Sequence, residues 1–267
     1  MLEHRTIQNK DGIRLSYYIK YNDIGKGKNE KNKSRFLVFI HGVGANQTVW
    51  NPIINSINEN ILTLDLRGHG RSEVGRLSDI NIKNYVLDIK GILDREGIKD
   101  AVFVGNSLGA SISVMLSEEY PDYVNKMFLF SLFTKRFSNF NFFLGLANTI
   151  AYYMILPFRM KRKLRLQDYA GLRKKKPWFF PIADYKGTHL HVYTKTIKEM
   201  LKYSLPIESV SKKTLILQGG HDILTNNTKI YKTIRKNKNI ELKVHKMHHL
   251  IVNKSPEICA EMINRFI

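Results

Sequence analysis

The sequence predicts an α/β fold, a mostly parallel sheet covered on both faces by helices. Three observations point to it. Short apolar runs of strand length alternate with helix patterns along the chain. One of these runs, Ala101-Val102-Phe103-Val104, ends in Gly105-Asn106-Ser107-Leu108-Gly109 and passes straight into a helix pattern. The chain, at 267 residues, is also long enough to bury one α/β domain with an inserted subdomain.

Taken in order, Gly25 to Lys33 is a polar stretch that reads as a mobile hairpin loop. Arg35 to Ile40 is a buried strand, followed by His41-Gly42-Val43-Gly44. Ile61 to Leu64 is the next strand, leading into Asp65-Leu66-Arg67-Gly68-His69-Gly70-Arg71-Ser72. At Ser107 the strand-to-helix turn is so tight that side chains at 105 and 109 would clash. The serine itself must adopt a strained backbone conformation, which exposes its hydroxyl at the carboxyl end of the sheet. Met127 to Ser131 reads as the sixth strand. Thr214 to Gln218 is another, running into Gly219-Gly220-His221-Asp222, and Ile240 to Val244 is the last. Pro256 and Glu257 then open an amphipathic terminal helix. It holds Cys259, which reads as a buried apolar residue; as the single cysteine it excludes an intrachain disulfide.

These motifs resemble the α/β-hydrolase superfamily, over residues from roughly 13 to 132 and again from about 213 onward. The Ser107 pentapeptide looks like the family's nucleophile elbow, and the 65–72 run looks like its D-x-R-G-x-G-x-S structural loop. The resemblance implies an α/β-hydrolase core over 1–132 and 204–267, with a helical cap, 133–203, inserted after the sixth strand. It implies an oxyanion hole formed by the N–H groups of Val43 and Leu108. The family's chain order of nucleophile, acid and base makes Ser107 the nucleophile and Asp222 the acid. His245, His248 and His249 compete as base. The family's proline seven residues after the histidine matches Pro256 and selects His249, with His248 standing where the family carries glycine.

Less specific readings stand beside these. Ser107 would be a structural turn serine, Asp222 a helix cap before Thr225-Asn226-Asn227, and His249 a surface histidine beside the true base. His41 and His69 read as residues that order their own loops, and Trp50 and Tyr85 as packing residues. Asn106 either shapes an acyl pocket or supports the turn.

The resemblance implies a serine hydrolase that cleaves the carboxylic ester of a hydrophobic, lipid-like acyl substrate. The alternatives are the same triad acting on a carbon–carbon ring-fission product, an amide or a thioester, or a non-catalytic ligand-binding member of the fold. A serine at 107 argues against dehalogenases and epoxide hydrolases, which carry a carboxylate there. No metal and no organic cofactor is expected, since no ligand cluster of plausible spacing appears.

The net charge of +20 is uneven. Residues 133–203 hold 15 Lys and Arg against three Asp and Glu, whereas 1–132 hold 17 against 15. Phe137 to Phe158 carries no charge and is rich in aromatic residues. Basic clusters flank it, and Arg173 to Pro181 repeats the pairing of cations with aromatics. A bundled cap helix over an apolar pocket is the favoured reading. Peripheral contact with an anionic membrane is the second. No nucleic-acid partner is expected, since no nucleic-acid-reading module is present. The N-terminus lacks the apolar core of a signal peptide, which predicts a cytoplasmic protein, with membrane association as the accompanying alternative.

Overall fold

The computed structural model describes residues 2–22, 35–139, 141–155 and 188–267. Eight strands make one sheet: β1 (Glu3–Gln8), β2 (Arg14–Lys20), β3 (Phe36–Ile40), β4 (Asn60–Asp65), β5 (Ala101–Asn106), β6 (Val124–Phe130), β7 (Lys213–Gly219) and β8 (Ile240–His245). Their spatial order is β1-β2-β4-β3-β5-β6-β7-β8. β2 pairs antiparallel with both β1 and β4, and every pairing from β4 across to β8 is parallel.

Both faces are covered, which is why β3, at the middle of the sheet, is apolar at every position. In β3, Leu37 and Phe39 pack with Trp50 and with Ile53 of α1 (Asn51–Ile54). Val38 and Ile40 point the other way, into a core shared with Tyr85 and Ile89 of α2 (Ile82–Glu96) and Ala110 of α3 (Leu108–Glu119). Trp50 and Tyr85 are fully buried packing residues, and Cys259 is buried and unpaired. β6 begins three residues before the predicted strand and ends at Phe130. Ser131 has turned into the left-handed region, with φ 49°.

Of the predicted cap, the described parts are a turn at Lys135–Phe137, α4 (Asn141–Ile155) and α5 (Leu190–Met200). The Gly25 to Lys33 stretch, the end of the apolar run and the Arg173 to Pro181 block lie outside the described residues. α4 packs on α5, where the Asn148 side chain donates to the Thr194 carbonyl at 2.9 Å. α5 is seated on the core: the Tyr85 hydroxyl hydrogen-bonds Thr196 Oγ1 at 2.9 Å, and Thr188 forms an isolated antiparallel bridge with His69. α4 departs from a bundled cap helix in one respect, because its apolar residues include exposed ones. Among the described residues no helix is long and apolar enough to cross a membrane.

Candidate active site

Parallel strands end on the same edge, so the loops that follow β5, β7 and β8 converge there. Ser107 follows β5 with φ 52° and ψ −108°, a conformation that costs a non-glycine residue about 1–3 kcal/mol. It is held by two backbone bonds: its N–H donates to Phe130 O at 2.9 Å, and its carbonyl accepts from Ser111 at 3.1 Å. Gly109 is required because a Cβ there would be driven into the Ile40 carbonyl, so α3 rests directly on the end of β3.

The loops after β7 and β8 are joined in the same way. The Gly220 and His221 N–H groups donate to His245 O and Met247 O at 2.5 and 2.9 Å. A Cβ on Gly219 would collide with the backbone of Met247 and His248. This close approach brings Asp222 and His249 together. His249 Nδ1 lies 2.7 Å from Asp222 Oδ2, and its Nε2 lies 3.2 Å from Ser107 Oγ. A carboxylate can only accept, so Nδ1 carries the proton and Nε2 is left as an acceptor facing the serine hydroxyl.

Asp222 is deeply buried and accepts three further hydrogen bonds, from Leu224 N–H at 2.8 Å, Thr225 N–H at 3.3 Å and Thr225 Oγ1 at 2.8 Å. Burial pushes its carboxyl up, but the bond with His249 and the Thr225 and Leu224 donors outweigh it. The net effect holds the carboxyl below the usual carboxylate range. Asp222 is not the cap of the following helix, α6 (Asn227–Ile234), since Asn226 caps it by accepting from Lys229 N–H at 3.0 Å. Of the three histidine candidates, His249 is the one brought to Asp222 and Ser107. His245 closes β8, and the exposed His248 ring lies 3.3 Å from the His221 carbonyl.

Leu108 directly follows the serine in the chain, and Val43 follows Gly42. Leu108 is the first residue of α3, where an N–H has no intrahelical acceptor. Gly42, next to Val43, abuts Ser107: its absent Cβ would sit 3.5 Å from the serine Cβ. Among the described residues no hydrogen bond engages either N–H. Asn106 does not support the turn through its side-chain oxygen, which is buried without a partner.

The 65–72 loop is a structural framework braced by residues around it. Asp65 accepts from Gln47 N–H and Arg71 N–H, both at 2.9 Å, and Ser72 Oγ donates to the Asp65 carbonyl at 2.6 Å. Arg67 makes a buried two-pronged pair with Asp88, at 2.7 and 2.8 Å. His41 Nε2 accepts from Leu66 N–H at 3.0 Å, so its Nδ1–H donates to Gly42 O at 2.7 Å. Burial, and the neighbouring His69, push His41 down to about 3; burial pushes His69 to about 4. Both rings are therefore neutral near pH 7.

Three supporting residues escape sequence reasoning. Ser131 Oγ donates to the His249 carbonyl at 2.7 Å, Thr225 holds Asp222, and Thr188 Oγ1 donates to the Gly44 carbonyl at 3.1 Å, beside Val43. Only Thr225 leaves a local signal, a hydroxyl three residues after an Asp in a turn.

Comparison with known proteins agrees with this architecture. A family model described as the alpha/beta hydrolase fold matches residues 36–154. The 2-(acetamidomethylene)succinate hydrolase of Mesorhizobium japonicum is 32% identical over 110 residues, which is 39% of this chain and 39% of that protein. The 2-hydroxy-6-oxononadienedioate/2-hydroxy-6-oxononatrienedioate hydrolase of Paraburkholderia phymatum is 31% identical over 121 residues, 42% of this chain and 38% of that protein. The match thus spans about two fifths of the length of each relative. Among solved structures, a hydrolase from Pseudomonas aeruginosa PA01 superposes with a TM-score of 0.78 at 16% identity, covering 99% of this chain and 98% of that one. That last likeness is one of fold.

Proposed function

The chain belongs to the α/β-hydrolase superfamily, and from that premise we propose that it is a serine hydrolase cleaving the carboxylic ester of a hydrophobic, lipid-like acyl substrate. The observation that carries the reading is the continuous relay from Asp222 through His249 to Ser107, ending on a strained serine that is buried, at 7% exposure, rather than the exposed hydroxyl the sequence predicts. A serine hydroxyl is a weak nucleophile at neutral pH, and His249 Nε2 is placed to accept its proton. Ser107 Oγ then bonds to the acyl carbon, and the carbonyl electron pair moves onto oxygen. The Val43 and Leu108 N–H groups would stabilise that oxyanion, by roughly 3 to 4 kcal/mol for a donor of this kind.

Collapse breaks the ester C–O bond. His249 returns its proton to the leaving alcohol, and the acyl group remains on Ser107. Water attacks next, giving up a proton to His249, and a second collapse releases the acid and restores the serine. Asp222, held ionised by its donors, keeps the imidazole in the required tautomer and stabilises the imidazolium. The preference for an apolar acyl group draws on the uncharged, aromatic-rich run from Phe137 to Phe158.

The test is hydrolysis of p-nitrophenyl esters of increasing acyl length by the wild type and Ser107→Ala. Turnover that rises with chain length and is lost in the variant fits the reading, and ester turnover unaffected by Ser107→Ala rejects it. A second reading keeps the relay but cleaves another bond in a substrate with an acidic group. The names of the two relatives and the basic 133–203 segment favour it. Hydrolysis of dicarboxylate substrates, with esters turned over only weakly, would select it.

A further inference from the structure

α4 is built inside out. Its exposed residues are Leu146, Ala147, Ile150, Tyr153 and Met154, and the large ones are 49%, 50%, 58% and 68% exposed for Leu146, Ile150, Tyr153 and Met154. At about 100° per residue these five positions occupy one arc of about 120°. The polar Asn148 lies on the opposite side, buried, where it bonds the Thr194 carbonyl of α5. A helix that buries its asparagine and presents a continuous apolar arc outward reverses the usual pattern, and such a patch marks a contact surface.

Charge identifies the occupant. α4 carries no charged residue of its own. Lys198 of α5 sits beside it, with Nζ 5.2 and 5.0 Å from the ring centres of Tyr152 and Tyr153. The acidic group of α5, Glu199, is neutralised by Lys195 and Lys202 at 2.6 and 2.7 Å. The chain as a whole carries a net charge of +20. A second copy with the same charge would be repelled. An anionic lipid surface satisfies both properties, since the apolar arc enters the acyl boundary while the lysines meet the headgroups. No described helix is long enough to span the bilayer, so the contact is peripheral.

We infer that the outward face of α4 docks the protein onto the surface of an anionic lipid bilayer. The inference does not depend on the reaction, and Ser107→Ala must bind as the wild type does. The experiment is flotation with vesicles of phosphatidylcholine alone, and of phosphatidylcholine with equimolar phosphatidylglycerol, at low and high salt. The wild type should float with the mixed vesicles, float less at high salt, and leave the neutral vesicles largely unbound.

The double variant Ile150→Glu, Met154→Glu should bind at least about tenfold more weakly. The milder Leu146→Ser should weaken binding to a lesser degree, with thermal melts showing both folded. The proposal fails if the wild type ignores the mixed vesicles, or if the double variant binds them as well as the wild type. It fails equally if neutral vesicles bind as strongly. A dimer in sedimentation that the double variant dissolves would assign the face to a second copy instead.

Discussion

Ser131 and His249 stand 118 residues apart in sequence and are joined by one hydrogen bond, from the serine Oγ to the histidine carbonyl at 2.7 Å. Ser131 is fully buried, its N–H donates to Leu217 O at 3.0 Å, and its φ of 49° places it in the left-handed region. It therefore fixes the backbone that carries the His249 ring. Ser131→Ala and Ser131→Gly should both lower kcat by about tenfold with little change in KM, the loss of one buried hydrogen bond. The glycine variant should melt higher than the alanine one, because it relieves the left-handed strain. Equal kcat in wild type and variants would remove Ser131 from the positioning of His249.

The Asp222 carboxylate holds the His249 tautomer. Asp222→Asn leaves the shape and can donate to Nδ1, which turns the proton onto Nε2 and away from the work of a base. A loss in kcat of about 10³ to 10⁴-fold is expected in steady-state kinetics. A loss below about tenfold would show that the carboxylate only braces the Leu224–Thr225 turn.

The buried Arg67–Asp88 pair locks the loop that follows β4. Asp88→Ala strands a guanidinium that is 1% exposed, leaving it only the partly exposed Asp11 at 3.0 Å. Urea unfolding should show a loss of about 3–5 kcal/mol. A change under about 1 kcal/mol would mean that Asp11 and water suffice to hold the cation.

Acid sensitivity follows from the buried rings. His41 and His69 sit near 3 and 4 in the folded state, against an ordinary value of 6.5. The unfolded chain therefore binds the extra protons as the pH drops below about 6.5, and stability falls until roughly pH 3 to 4. Asp65, which burial pushes up to about 6, acts in the opposite direction between pH 6 and its ordinary 3.8. The two histidine shifts together exceed the single carboxyl shift, so the thermal midpoint should fall from pH 7 to pH 4.5. A flat or rising midpoint would show that the rings are protonated in the fold.

Most of the site can be read from the sequence because its residues sit at strand ends, beside glycines that sterics demand. Ser107 is marked by Gly109, and Asp222 by Gly219 and by the strand before it. His249 is less clear: three histidines lie at or after the end of β8, and the sequence chooses among them only through the resemblance, by the spacing to Pro256. The loop pairing from Gly220 and His221 brings that same residue to Asp222. Ser131 and Thr188 leave no trace, because each binds a backbone carbonyl more than a hundred residues away, and any residue supplies a carbonyl. The outward face of α4 is hidden for a different reason. In a run that is apolar almost throughout, periodicity does not tell the buried side from the exposed one, and the one marker, Asn148, turns inward.

The most direct test of the central claim is covalent. Incubation with a fluorophosphonate, followed by intact mass and peptide mapping, should show one adduct per chain, on Ser107, absent from Ser107→Ala and slowed in Asp222→Asn. An unmodified protein, or an adduct on any other residue, would contradict the assignment of Ser107 as an activated nucleophile.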